Sequence, residues 1–289
     1  MLSPLVSIVI PCFNHESFVK DSIQSVIDQN YENIELIIID DGSQDNSIQI
    51  IKSMVEKCKK RFIRFEFRYR PNKGLSMTLN EALSWCQGEY YSAIASDDIM
   101  LPEKTSIQVN FLNNNKEVDG VFGNASLINE YGLEINKAIP SKKKLTFKNI
   151  ILSNYTIIAA SQMIRMMAIR NLGESPYPIH IKIEDWYMWL KLSEGGSLVN
   201  INKDLVKYRV HSNNSMKKID LINESRIQVI NEFSHSVFYN RGLSLVKLIN
   251  YLDKHKNLPI SLVRKHPTMV LDVLTHKKIL QFLLGKFDL

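Results

Sequence analysis

Residues 34–43 read IELIIIDDGS: four isoleucines and a leucine around one glutamate, then two aspartates, a glycine and a serine. A run so rich in β-branched residues, apolar at consecutive positions, belongs to a strand buried on both faces. The chain on either side repeats the theme. VSIVI (6–10) is a strand of the same kind, IRFEFRY (63–69) alternates and so has one wetter face, and YYSAIA follows from residue 90. Between these strands Val19, Ile23, Val26 and Ile27, then Ile48, Ile51 and Val55, then Leu79, Ala82, Leu83 and Cys86 recur at helical spacing. Strand and helix in alternation predict an α/β fold, a mostly parallel sheet flanked by helices.

Such sheets bind ligands beyond the carboxyl ends of their strands. PCFN follows the first strand, DDGS the second, RPNKG the third and SDD the fourth, so four polar loops converge on one rim. Each loop also has a plain structural reading. Asp-Gly is a turn signal, and Ser43 or Asp45 suits a helix cap. Asn72 and Gly74 suit a turn before a helix, whereas Arg70 or Lys73 there suits an anionic diphosphate. Ser96, Asp97 and Asp98, shortly before Pro102, suit a helix N-cap. Capping needs only one of those side chains, however, and two adjacent carboxylates fit a hard divalent cation equally well. Glu184 and Asp185 open the helical EDWYMWLKL (184–192), where the helix dipole favours acids and where a buried base would look the same. His211 in YRVHSNNS, after the strand-like LVKYRVH (205–211), is equally ambiguous alone.

Beyond residue 115, VDGVFGNASLI suggests further strands and Lys142–Lys144 a solvated loop. From about residue 216 the pattern is helical, and Met269, Val273, Leu280, Leu284 and Phe287 share one face with Lys277 and Lys278 away from it. The charge is uneven. Residues 241–289 hold nine Lys or Arg against three Asp or Glu, which accounts for the whole net charge of +6, while the first 240 residues hold 27 of each sign. A neutral body argues against a nucleic-acid binder, and a basic tail favours a local anionic partner such as a membrane surface, or packs as a helical subdomain. Cys12, Cys58 and Cys86 form no paired motif, the first residues lack a basic signal-peptide region, and no apolar stretch reaches bilayer-spanning length. The expected location is the cytosol.

Taken together and in this order, VSIVIPCFN, QNYENIELIIIDDGSQDNS, PNKGLSMTLNEAL, SDD, EDWYMWL and YRVHSNNS resemble family 2 glycosyltransferases of the GT-A fold, over Val6 to about Ser215. The resemblance implies a catalytic domain over residues 1–215 and a helical C-terminal region over 216–289. It implies a nucleotide pocket lined by Pro11, Phe13, Asn14 and Asp41 and closed by Arg70, Asn72 and Lys73. Ser96-Asp97-Asp98 stands where the family often has a D-x-D metal motif, with serine as a departure in its first position. Asp97 would then face the ribose, and Asp98 with His211 would hold Mg²⁺ or Mn²⁺; Arg209 would contact the diphosphate. Asp185 occupies the place of the base, with Glu184 beside it to orient the acceptor, and single displacement by one base inverts the anomeric carbon.

Processive members carry QxxRW and membrane helices, and no Arg-Trp pair occurs in this chain. The resemblance is therefore to enzymes that add one sugar, glucose or galactose from a UDP-sugar, to a polyprenyl-diphosphate-linked saccharide such as GlcNAc-diphosphate-polyprenol, in bacterial O-antigen or capsule assembly. Such enzymes work peripherally at the cytoplasmic face of the inner membrane, which the basic tail suits. A nucleotidyltransferase would need a glycine-rich, lysine-bearing N-terminal loop that is missing here. A non-catalytic sugar-nucleotide-binding protein would have no need of Asp185.

Overall fold

The computed structural model describes residues 3–139, 143–155, 157–212, 214 and 218–255. The alternation in the first third is realised as β1 (Val6–Cys12), α1 (Val19–Ile27), β2 (Ile34–Asp40), α2 (Ser47–Arg61), β3 (Arg64–Tyr69), α3 (Leu75–Trp85) and β4 (Tyr90–Ala93). The chain continues through β5 (Ile99–Met100), α4 (Lys104–Asn114), β6 (Gly120–Ile128), β7 (Glu134–Ala138), β8 (Lys144–Leu145) and α5 (Phe147–Ile151). It ends, among the described residues, with β9 (Met163–Arg165), α6 (Met166–Arg170), α7 (Glu184–Gly195), β10 (Leu198–Arg209), α8 (Ile219–Glu232) and α9 (Tyr239–His255).

One sheet runs β3-β2-β1-β4-β9-β6-β10-β5. The first four strands are parallel, with Val9 opposite both Ile37 and Ala93, so the ends of β1, β2 and β4 lie side by side. β9 breaks the pattern: it is antiparallel to β4 and to β6, which itself runs parallel to β10. Three residues are too short for a periodicity to register, so this crossover was not legible beforehand. β3 lies at one edge of the sheet and is part-exposed along its length, without the alternation of burial that its sequence predicts.

Side chains divide by strand parity. Ile8, Ile10, Leu36 and Ile38 enter a core beneath α1, α2 and α4, whereas Val9, Ile37 and Ile39 enter a second core with Trp186 and Trp189 of α7. Each fully buried aliphatic side chain contributes about 1.5–3 kcal/mol relative to exposure. Glu35, the odd residue in its run, is also buried, but at the end of the sheet away from the polar loops. It accepts from Ser7 Oγ at 2.5 Å and from Gly88 N at 3.0 Å, and Arg64 Nη1 lies 2.8 Å away, so the buried charge is paired and hydrogen-bonded.

α8 and α9 pack on the second core: Val229, Ile230, Phe233, Val246 and Leu248 are fully buried within it. No described helix is long and apolar enough to cross a membrane. The amphipathic stretch Met269–Phe287 lies outside the described residues, as does Lys142. Lys144 is exposed but pairs Val199 as part of β8, so the basic run ends in a strand.

Candidate active site at the carboxyl rim of the sheet

The rim begins where β2 ends. Asp40 folds the turn after it, accepting from Gly42 N at 3.1 Å, Ser43 N at 2.8 Å and Ser43 Oγ at 2.7 Å. Asp41 reaches instead to the loop after β3. Its carboxylate pairs with Arg70 and accepts from Lys73 N at 2.8 Å and Gly74 N at 2.9 Å, at the amino end of α3 where a helix favours negative charge. Arg70 is further tied to Glu81 at 2.7 Å and to Thr78 Oγ1 at 3.0 Å. Gly42 has φ +82°, and a Cβ there would lie 2.6 Å from Asn72 N. The two loops are thus locked by their backbones, with Asn72 and Lys73 exposed above them. On the neighbouring strand Pro11 sits opposite Ile39, and Phe13 is exposed. Asn14, at φ +54°, clips the two rims together: its N–H donates to Ser43 Oγ and its Oδ1 accepts from Gln44 N, both at 2.8 Å.

Past β4 the two adjacent carboxylates part company. Asp97 Oδ2 lies 2.8 Å from His211 Nε2, and with His15 these side chains place one ligand atom each within 4.8 Å of one another. Donors on one ion at about 2.1 Å each lie roughly 3–4 Å apart, so small shifts, including a slight parting of Asp97 and His211, would seat a cation among them. Asp98 turns away, accepting from Arg209 N at 2.8 Å. Burial, and then the charge of Asp97, push the Asp98 carboxyl well above the usual range, against the pull of Arg209. The carboxylate beside His211 is therefore that of Asp97 and not the expected Asp98, because the β10 amide reaches Asp98 and leaves Asp97 facing the histidines.

Arg209 differs from expectation as well. It is buried, donating from Nε to the Asp97 carbonyl at 2.8 Å and from Nη1 to the Asn129 and Glu130 carbonyls, with its guanidinium 4.8 Å from the Phe18 ring. It is a strut that sets the SDD loop. His15, absent from the sequence-derived set, enters the site through the loop after β1. Its backbone N–H is held by Ser47 Oγ at 2.9 Å, and its Nδ1 lies 2.7 Å from the Oγ of buried Ser96. A lone histidine three residues past a strand carries no periodic signal; only its position after PCFN pointed to the rim.

At the start of α7, Glu184 and Asp185 form a second acidic pair. Asp185 Oδ1 accepts its neighbour's N–H, from Trp186, at 2.7 Å. Burial raises both carboxyls, and the Asp185 charge adds to the rise at Glu184. Burial also raises the Tyr208 hydroxyl, followed by the charges of Asp98, Asp97 and Asp185. A cleft of about 130 Å³ runs between the α3 start and the α7 start. Glu184 lines it, with exposed Leu75, Met77, Ile179 and Leu221 as apolar walls and Lys73, Lys182 and Lys218 at its edge.

Comparison with known proteins places this geometry. The model for "Glycosyl transferase family 2" matches residues 7–173. An uncharacterized glycosyltransferase of Haemophilus influenzae is 32% identical over 61% of this chain and 70% of its own length. An uncharacterized glycosyltransferase of Rickettsia felis is 29% identical over 81% of this chain, and the match spans 39% of that protein. Chondroitin synthase of Escherichia coli is 29% identical over 79% of this chain and 32% of its own length. Among solved structures, S. aureus TarS 1-349 in complex with UDP-GlcNAc superposes with TM-score 0.67 at 15% identity, covering 96% of this chain and 81% of that one. The mannosyltransferase PcManGT from Pyrobaculum calidifontis, in complex with GDP-Man and Mn²⁺, gives 0.62 at 11%, covering 99% and 88%. These likenesses fix the fold as GT-A.

Proposed function

The chain belongs to glycosyl transferase family 2, and from that premise we propose that it is an inverting, metal-dependent enzyme moving one sugar from a UDP-sugar to an acceptor hydroxyl. The observation that carries this reading is the pair of acidic centres: Asp97 with His211 in one, and half-buried Asp185 with buried Glu184 in the other. Asp97 and His211 would hold a divalent cation, Mn²⁺ or Mg²⁺, which neutralises diphosphate charge as UDP departs. The exposed Phe13 ring, Pro11 and the Asn14 turn form the floor for the base. Lys73 and Asn72, on a loop that Asp41 and Arg70 hold in place, close over the phosphates. Serving the loop in this way, Asp41 and Arg70 shape the nucleotide pocket without their charges being open to the ligand.

Asp185 accepts the proton of the acceptor hydroxyl. Desolvation raises its basicity above that of an ordinary aspartate, the direction that suits a general base. Attack from the face opposite the leaving UDP inverts the anomeric centre. Glu184 orients the acceptor, for which the cleft it lines is the dock. Apolar walls with three lysines at the edge suit a lipid-linked diphosphate saccharide such as GlcNAc-diphosphate-polyprenol. The donor sugar we assign is glucose or galactose, the setting O-antigen or capsule assembly, and the place the cytoplasmic face of the inner membrane, touched peripherally. Residues 1–215 form the catalytic domain in this reading and 216–289 an accessory helical region. The test is transfer from UDP-[¹³C]sugar with the product anomer read by NMR: an α-linked donor gives a β-linkage, and an α-linked product removes the single-displacement mechanism.

A further inference from the structure

The side chains around Asp97 say more about the cation than that one binds. His15, Asp97 and His211 come from three separate segments, the loops after β1 and β4 and the end of β10. Their convergence is built. Ser47 fixes the His15 backbone, Ser96 fixes its ring at 2.7 Å, the Phe18 ring packs on both imidazoles with centroids at 6.0 and 4.9 Å, and Arg209 pins the Asp97 carbonyl.

We infer that His15 is a third protein ligand, so that two imidazoles and one carboxylate bind a first-row transition ion without nucleotide and in preference to Mg²⁺. Magnesium keeps its waters, takes oxygen ligands and leans on substrate phosphates when a protein offers few carboxylates. Imidazoles suit transition ions, and two of them with a carboxylate form a set that leaves positions open for further ligands. On the transferase reading those positions take diphosphate oxygens; the order follows that the ion is resident before the donor arrives. The inference rests on that reading only for what completes the coordination.

Metal-stripped full-length protein, with no nucleotide present, is titrated with Mn²⁺ and followed by the electron paramagnetic resonance of the free ion and by calorimetry. The expected result is one Mn²⁺ per chain, with Mg²⁺ a poor competitor. His15→Ala weakens Mn²⁺ roughly tenfold or more, on the scale of losing a metal-site group, and His15→Asp, an oxygen donor in the same place, shifts the Mn²⁺/Mg²⁺ preference toward Mg²⁺. Circular dichroism establishes that each variant is folded. Mn²⁺ that binds only when UDP is added, or equal Mn²⁺ affinity in folded His15→Ala, or an unchanged preference in folded His15→Asp, overturns the inference and leaves the transferase reading standing. Resident Mn²⁺ in a protein that binds no UDP and turns over no UDP-sugar leaves the inference standing and ends that reading.

Discussion

Two neighbouring carboxylates in a strand end face a choice that their surroundings make. At SDD the amide of Arg209 takes Asp98, and Asp97 is left to His211. At EDW a buried Glu184 and a half-buried Asp185 open a helix, and both acids hold their protons more tightly than in water. Two consequences follow. Asp185→Asn, which removes the proposed base, is expected to lower kcat roughly 10²–10⁴-fold while UDP affinity stays at the wild-type value; steady-state kinetics beside calorimetry checks both. Glu184 has its pKa raised from 4.5 to about 8 in the folded chain. Between those values the folded protein keeps a proton that the unfolded chain has released, so its stability falls as pH rises through that window. Glu184→Gln removes the fall, and its Tm relative to wild type is expected to improve from pH 5 to pH 8. A constant difference across that range rules out the raised carboxyl. The presence of acids at these places was plain in the sequence; which of Asp97 and Asp98 the β10 backbone would occupy was not, because that contact joins residues more than a hundred positions apart.

At the level of elements, the strands and their polar ends were readable because consecutive Ile and Val leave little doubt about a doubly buried strand. What linked the ends was not readable. Asp41 belongs to the turn after β2, yet its partners are Arg70 and the Lys73 and Gly74 amides before α3. Gly42 lets the loops touch, and only glycine suits its φ of +82° with Asn72 N so close. Gly42→Ala is expected to cost about 1–2 kcal/mol from the backbone alone, read as a lower urea midpoint, and to weaken UDP binding because the same contact shapes the pocket. Wild-type values of both quantities in Gly42→Ala contradict the loop lock. β9, three residues long and antiparallel between β4 and β6, left no periodic trace, and so the mixed centre of the sheet emerged only in three dimensions.

For the whole molecule, the helices after residue 216 are less separable than the sequence boundary suggests. Phe233, Val229, Ile230 and Val246 are buried in the core that also holds Trp186 and Leu190 of α7, the helix that carries Asp185. Phe233→Ala is expected to destabilise the protein by about 3–5 kcal/mol, and a chain ended at residue 215 to lose its cooperative unfolding transition. A truncated protein that melts as sharply as the full chain makes those helices an independent appendage. Overall charge and family resemblance were legible from sequence, whereas the dependence of the catalytic helix on α8 and α9 rests on long-range packing. The most direct test of the whole is UDP release from a panel of UDP-sugars, with a synthetic GlcNAc-diphosphate-lipid acceptor, with and without Mn²⁺, for wild type and Asp97→Ala. A metal-dependent transferase gives acceptor-stimulated release from one donor, lost without metal and in the variant. Equal release with and without metal, or in Asp97→Ala, contradicts a metal-dependent site at Asp97 and His211.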